Sequence, residues 1–466
     1  MNRRKLALAS ISASLVWLVA TSAGAQAASA ANTAGAPAAS PTLQKMLGEV
    51  SAKRIEANIR KLAGFGTRST LSETESETRG IGAARRWIKR ELEACSKASG
   101  GRLAVEFDSF IAPVSPRIAK PTEIVNVVAT LQGAQAESKD RIYVVSGHYD
   151  SMPTLPTDGT TDAPGANDDA SGTAASIELA CVMSKYQFDA TIVFMAVAGE
   201  EQGLIGARHW ATQAKARSAN VAGMITNDII GNTKGSDGVI ERNRVRLFAE
   251  GVPQGELSDE TIRIMRTGGE NDLPTRQLAR HIKASAERVL NDIKVDIIYR
   301  RDRYLRGGDH IPFLEQGYPA VRMTEPNEDW RHQHQNPRVV DGVQFGDLPE
   351  YVDFDYVAKV TRVNLVALAA LANAPARPAE VQMEALRLEN DTTLRWKANT
   401  EPDLAGYKIV WRETTAPFWQ HSQDVGKVTR ATVKGVSKDN FLFGVVAYDK
   451  DGNESPATYP VPLTLR

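Results

Sequence analysis

Three apolar runs in this chain each break off into residues that carry chemistry. Residues 142–145 lead into Ser146, Gly147, His148, Tyr149 and Asp150. Residues 190–197 lead into Ala198, Gly199, Glu200 and Glu201, and 222–225 lead into Asn227 and Asp228. Short apolar runs bounded by turn residues read as strands buried on both faces. A small-residue helical pattern follows at 172–184, and another helix is expected beyond Leu204. This alternation predicts an α/β domain with a mixed, largely parallel sheet and helices on both faces. Open sheets of that kind collect ligands at the carboxyl ends of their strands, where these polar residues fall. A neutral imidazole and hard carboxylates converging there suit a zinc-type cation.

The α/β domain is expected over 42–373. Helices are predicted over 41–63, 79–97, 276–290 and 356–371, and further strands over 103–110, 124–131 and 320–323. In the second helix Ile81, Ala84, Ile88 and Leu92 share one face. Residues 233–274, rich in Gly, Asp, Glu and Arg, read as an insertion on the catalytic face that shapes the pocket. Residues 374–379 are a linker by composition. Beyond it, in 380–466, short strand-like runs at 393–397, 406–411, 431–433 and 441–448 predict a small all-β sandwich.

A chain of 466 residues suggests two or three domains. Zero formal net charge with 24% charged residues points to neither nucleic acid nor an anionic membrane. Arg3, Arg4 and Lys5, the mostly apolar stretch 6–19 and the small-x-small site Ala25-Gln26-Ala27 read as an export signal over 1–27. An Ala/Ser/Thr/Pro leader follows over 28–41. No other stretch is long and apolar enough to span a bilayer, so a secreted or periplasmic protein without a membrane span is expected. Cys95 and Cys181 are the only cysteines; they either pair or sit as small buried hydrophobes.

Five candidate metal ligands follow: His148, Asp168, Glu201, Asp228 and a histidine of Arg331-His332-Gln333-His334. A carboxylate shared between two ions, with one histidine and one carboxylate completing each, makes a two-metal centre. Adjacent residues in a loop point apart, so Glu201 can bind metal while Glu200 serves as general base. Singly, each has a plain explanation: a solvated histidine, a capping glutamate pair, Asn-Asp-Asp turn chemistry. In order, at successive strand ends, the plain account needs many coincidences.

The ordered set of 147–151, 164–172, 199–206, Asn227-Asp228 and a late histidine resembles the aminopeptidase Y and bacterial leucyl aminopeptidase family of two-zinc exopeptidases, over about residues 80–372. The resemblance implies two zinc ions bridged by Asp168, with His148 and Asp228 on one and Glu201 and the late histidine on the other. It implies Glu200 as base, Asp150 as the carboxylate orienting His148, and a peptide with a free N-terminus as substrate. His332 is favoured over His334, although Arg331 stands where the family has an aromatic residue and Asn336 where it has an acid. Asp309, His310 and His334 are expected to line the site. The C-terminal strands, with Trp396, Tyr407, Trp411 and the turn 449–455, resemble a fibronectin type III domain of unknown partner, with Phe441 at the position of its corner tyrosine.

Two rival readings stand beside this one. The run 309–314 followed by Gly317 and Pro319 resembles glutaminyl cyclases, which use one zinc on a similar scaffold. A receptor-type relative would keep the fold and bind without turnover.

Overall fold

A computed structural model describes residues 40–463. The expected export signal, and all but the last two residues of the leader, lie outside the described residues. The helices are α1 (Pro41–Glu49), α2 (Ala52–Ala63), α3 (Gly80–Ala98), α4 (Ala170–Met183), α5 (Ile205–Ala216), α6 (Asp259–Met265), α7 (Pro274–Val289), α8 (His310–Glu315) and α9 (Phe354–Asn373). Strands β1 (Leu103–Ala112), β2 (Thr122–Leu131), β3 (Arg141–His148), β4 (Thr191–Val197), β5 (Asn220–Asn227), β6 (Arg244–Ala249), β7 (Lys294–Ile298) and β8 (Ala320–Thr324) form one sheet.

The sheet runs β1-β2-β4-β3-β5-β8-β6-β7. Its centre is parallel, β4 with β3, β3 with β5 and β5 with β8; antiparallel pairs (β1 with β2, β2 with β4, β6 with β8) flank it. Alternate residues of the central strands enter two separate cores. Tyr143, Val145, Ile192 and Phe194 join α2, α3, α4, α7 and α9 on one face. Val144, Val193 and Met195 meet Trp210 of α5 and Phe313 of α8 on the other. The chain reaches β4 by α4 over the first face and β5 by α5 over the second. The carboxyl-end loops of β3, β4 and β5 therefore open on one crevice, the placement expected at a reversal of strand order.

One expected helix, 41–63, is two. Ser51 is extended and caps α2 by accepting from the Arg54 N–H at 3.3 Å. Its own N–H goes to Glu178 of α4 at 2.7 Å, and Arg54 pairs with the same carboxylate at 2.6 Å. Cys95 of α3 and Cys181 of α4 form a disulfide, which resolves the alternative left open by the sequence.

The segment 233–274 departs most from expectation. It supplies β6, a sheet strand between β8 and β7, and α6, whose Ile264 packs with Leu273 ahead of α7 against Leu442, Tyr459 and Val461 of the C-terminal sandwich. It is scaffold and buttress, because Val245 and Leu247 alternate inward between arginines.

The strands β9 (Arg338–Val340) and β10 (Val343–Phe345) form a hairpin in the loop before α9. The strands β11 (Ala379–Met383), β12 (Thr392–Lys397), β13 (Leu404–Glu413), β14 (His421–Gly426), β15 (Arg430–Val433), β16 (Phe441–Asp449) and β17 (Val461–Pro462) form two sheets, β15-β12-β11-β17 and β14-β13-β16. Leu394 and Trp396 of one share a core with Tyr407, Ile409, Phe443 and Val445 of the other, the sandwich predicted. The Tyr407 hydroxyl accepts from the Asn399 N–H at 2.7 Å. The compositional linker is packed down: buried Arg141 bonds the Ala374 carbonyl at 2.5 Å and lies 3.4 Å from Glu401, which accepts from the Ala376 N–H at 2.6 Å. Asp272, buried, receives Arg280 of α7 at 2.8 Å and Arg412 of β13 at 2.6 Å.

Candidate metal centre

His148 closes β3, Glu200 and Glu201 follow the Gly199 turn after β4, and Asp228 follows β5. Two glycines let α4 close over these ends. A Cβ on Gly147 would lie 2.3 Å from the backbone of Gly172, and one on Gly172 would lie 2.1 Å from the Asn227 carbonyl. The carboxylates ahead of α4 divide their work. Asp169 caps the helix, accepting from the Gly172 N–H at 3.0 Å, and also accepts from the His148 N–H at 2.9 Å and the Ile229 N–H at 3.3 Å. Asp168, joined to it by a cis peptide, is left to face the crevice.

Asp168 offers one oxygen to each of two histidines. Its Oδ1 lies 3.2 Å from His148 Nε2, and its Oδ2 lies 2.9 Å from His334 Nε2. His148 Nε2 is also 3.9 Å from Asp228 Oδ1, and His334 Nε2 is 3.2 Å from Glu201 Oε1. Three sets of ligand atoms each gather within 4.8 Å: His148, Asp168 and Asp228; Asp168, Glu201 and His334; and His148, Glu200 and Glu201.

The histidine the structure brings into the cluster is His334, not the expected His332. His332 stacks on Tyr351 with ring centroids 3.6 Å apart, and its Nδ1 meets the Gly346 carbonyl at 2.9 Å. His334 adopts a left-handed backbone, φ 52°, and enters the cluster two residues later.

Asp150 sits behind His148, and its backbone carbonyl is nearer the imidazole than the carboxylate expected there. Its carbonyl lies 3.1 Å and its Oδ1 3.5 Å from His148 Nδ1. Its Oδ2 accepts from the Thr70 hydroxyl at 2.9 Å and the Glu201 N–H at 3.2 Å, so one carboxylate aligns two candidate ligands. Asp309 is buried with both carboxylate oxygens unpartnered, and burial pushes its pKa up to about 7, with Asp150 and Asp228 adding and His148 and Arg322 opposing. His310 serves the neighbouring loop instead, its Nε2 2.8 Å from the Arg301 carbonyl.

Several supporting residues escaped the sequence reading. Arg68, fully buried, donates to the carbonyls of Tyr149 at 2.7 Å, Gly165 at 2.8 Å and Pro164, clamping the loops that carry His148 and Asp168. Asp347 accepts from the Asp168 N–H at 2.6 Å. Glu325 gathers Asn167 at 2.9 Å and the Asn232 N–H at 2.6 Å. Arg322, fully buried in β8, lies 3.0 Å from Asp228 and 3.1 Å from Asp302. A lone arginine within an apolar strand run was the one available signal; arginine is otherwise a surface residue.

The charge balance asks for cations. Asp150, Asp168, Asp169, Glu200, Glu201, Asp228 and Asp309 crowd around two histidines and Arg322. Burial pulls the His148 pKa down, but Glu200 and the aspartates around it outweigh that and hold it well above its usual value. Burial raises Glu200 well above the carboxylate range, and Glu201, Asp228 and Asp309 add to the shift. Imidazole and carboxylate donors in this arrangement fit zinc-type ions. The crevice opens to a cleft of about 350 Å³ edged by Arg117, Met152, Leu204, Leu305, Arg306 and Gln333. Residues 233–274 contribute nothing to that lining, contrary to expectation.

The sequence profile of Peptidase family M28 matches residues 126–338. A probable zinc metalloprotease of Leptosphaeria maculans is 48% identical over 426 residues, covering 91% of this chain and 98% of that protein. Another from Pyricularia oryzae is 48% identical over 426 residues, covering 90% and 84%. Among solved structures, the LapA aminopeptidase of Legionella pneumophila matches with TM-score 0.48 and 18% identity over 71% of this chain and 73% of that one. An aminopeptidase from Aneurinibacillus matches with TM-score 0.49 and 16% identity over 70% and 96%. With near-half identity to curated relatives along almost their full length, the chain belongs to peptidase family M28.

Proposed function

We propose that the chain is an exported two-zinc aminopeptidase. The observation that carries this reading is Asp168, set between His148 and His334 with one oxygen toward each. His148 and Asp228 would complete one position, and Glu201 and His334 the other. Zinc bound by these residues would supply an activated water and polarisation of the carbonyl of the bond to be cut. Glu200 takes the proton of the attacking water and returns it to the leaving amine. Asp150 keeps His148 in the tautomer that leaves Nε2 free as a donor atom. The cleft of about 350 Å³ is the size of a small-ligand pocket and suits one or two residues at a chain end better than an extended segment.

Export is supported by the N-terminal sequence and by the Cys95–Cys181 disulfide, a bond favoured in oxidising compartments. The C-terminal sandwich is read as fibronectin type III-like, on its four-plus-three sheets. The buried, unpartnered Asp309 at the head of 309–314 favours a glutaminyl cyclase as the second reading.

The test is zinc content per chain, measured together with amino-acid release from unblocked and N-acetylated peptides. Two ions and cleavage of the unblocked peptide alone are expected. One ion, with cyclisation of an N-terminal glutamine and no amino-acid release, would replace the peptidase with the cyclase. Absence of both ions and turnover would leave a binding protein.

A further inference from the structure

The two candidate metal positions share Asp168 but differ in what stands behind their other carboxylate. Among the described residues the Glu201 carboxylate has His334 as its one ion-pair partner, and the nearest guanidinium, Arg117, is turned to the Glu201 backbone carbonyl. Asp228 has Arg322 at 3.0 Å, a fully buried guanidinium that water cannot screen. Ligands are ordinarily backed by acceptors that raise their donor strength, as Asp150 backs His148. Arg322 does the reverse, drawing on the charge that Asp228 would give a cation.

Arg322 also faces Glu200 and Asp309 across the crevice, and is backed from its far side by Asp302. Its other nitrogen lies 3.1 and 3.2 Å from the two oxygens of Asp302 and donates to the Gly307 carbonyl. Asp302 in turn is shared with His310 Nε2 at 3.6 Å and Arg303 Nε at 3.7 Å.

Resting on the two-metal reading above, we infer that Arg322 makes the His148–Asp168–Asp228 position the weaker of the two, so that zinc fills the centre in two separated steps. A unit charge a few ångströms from a divalent ion changes affinity at least about tenfold even with full water screening. Asp302 sets how much of that charge Asp228 feels.

The test is a titration of the metal-free full-length chain in zinc buffers, reading bound zinc directly. Wild type is expected to fill in two steps at least about tenfold apart. Asp302→Asn leaves the Arg322 charge uncompensated and should weaken the second step further. Arg322→Met combined with Asp302→Asn removes both charges, strands neither, and should tighten the second step toward the first. Opposite shifts from these variants are not produced by general loosening of the fold, which weakens both. Two ions binding with equal affinity in wild type, or a second step moved the same way by both variants, would overturn the inference while keeping the two-metal reading. A single ion at saturating zinc would overturn the two-metal reading; the inference would then stand only if the double variant gains a second ion, and fall if it does not.

Discussion

Two clusters of buried charge organise this molecule, and they are composed in opposite ways. At the candidate metal centre, a surplus of carboxylates crowds around two histidines, Arg322 and the nearby Arg68, and both oxygens of Asp309 are buried without partners. Between the domains, Asp272 alone meets both Arg280 and Arg412, all buried and at 2.6–2.8 Å. In the second cluster both oxygens of the carboxylate are met by guanidinium groups of the protein itself, so its work is to hold α7 and the sandwich together. The first is satisfied only by adding cations, so its residues are poised for chemistry at a cost to the fold. A surplus of buried carboxylates marks function; a buried carboxylate met on both oxygens by cations marks architecture.

Substitutions at the two clusters should therefore fail in different assays. The largest effect is expected from Glu200→Gln: hydrolysis falls about 10²–10⁴-fold while zinc content and melting temperature hold, read by kcat and metal analysis. Asp272→Asn should do the converse. It leaves two buried guanidinium groups under-compensated and costs about 3–5 kcal/mol in denaturant unfolding, with kcat per folded molecule unchanged. A large loss of kcat there would collapse the distinction between the clusters.

Smaller changes sharpen it. Thr70→Val removes the hydroxyl that bonds Asp150 at 2.9 Å and receives the Gly199 N–H at 3.1 Å. Metal affinity should fall about 10–100-fold, measured by chelator competition, with less effect on unfolding. His332→Ala, losing its bond to the Gly346 carbonyl and its stacking on Tyr351, should cost about 1 kcal/mol and leave both zinc ions bound. His334→Ala should lose one of them.

The sheet and most of the centre were legible because their signals are local. Apolar runs ending in His148, Glu200-Glu201 and Asp228 mark strand, loop and site at once. What escaped depends on tertiary partners. β6 alternates Arg244 and Arg246 with inward Val245 and Leu247, and inside a polar stretch that reads as surface. His332 and His334 lie in one turn, and their roles are decided by the Tyr351 ring and by the backbone turning left-handed at 334. Arg68, Thr70, Asp347 and Glu325 act through backbone groups distant in sequence, which no spacing encodes.

The pinned segment between the domains has a practical consequence. Its Ala/Pro composition marks it as the place where a protease would part the chain, yet the Ala374 carbonyl is held by Arg141, the Ala376 N–H by Glu401, and Arg377 is largely covered. Brief digestion should therefore spare this junction and nick exposed loops first, such as the one carrying Leu386 and Leu388. A fragment cut between the domains by recombinant design would expose Ile264 and Leu273, a sticky patch that nature keeps covered. The two halves are better inherited, expressed and engineered as one piece.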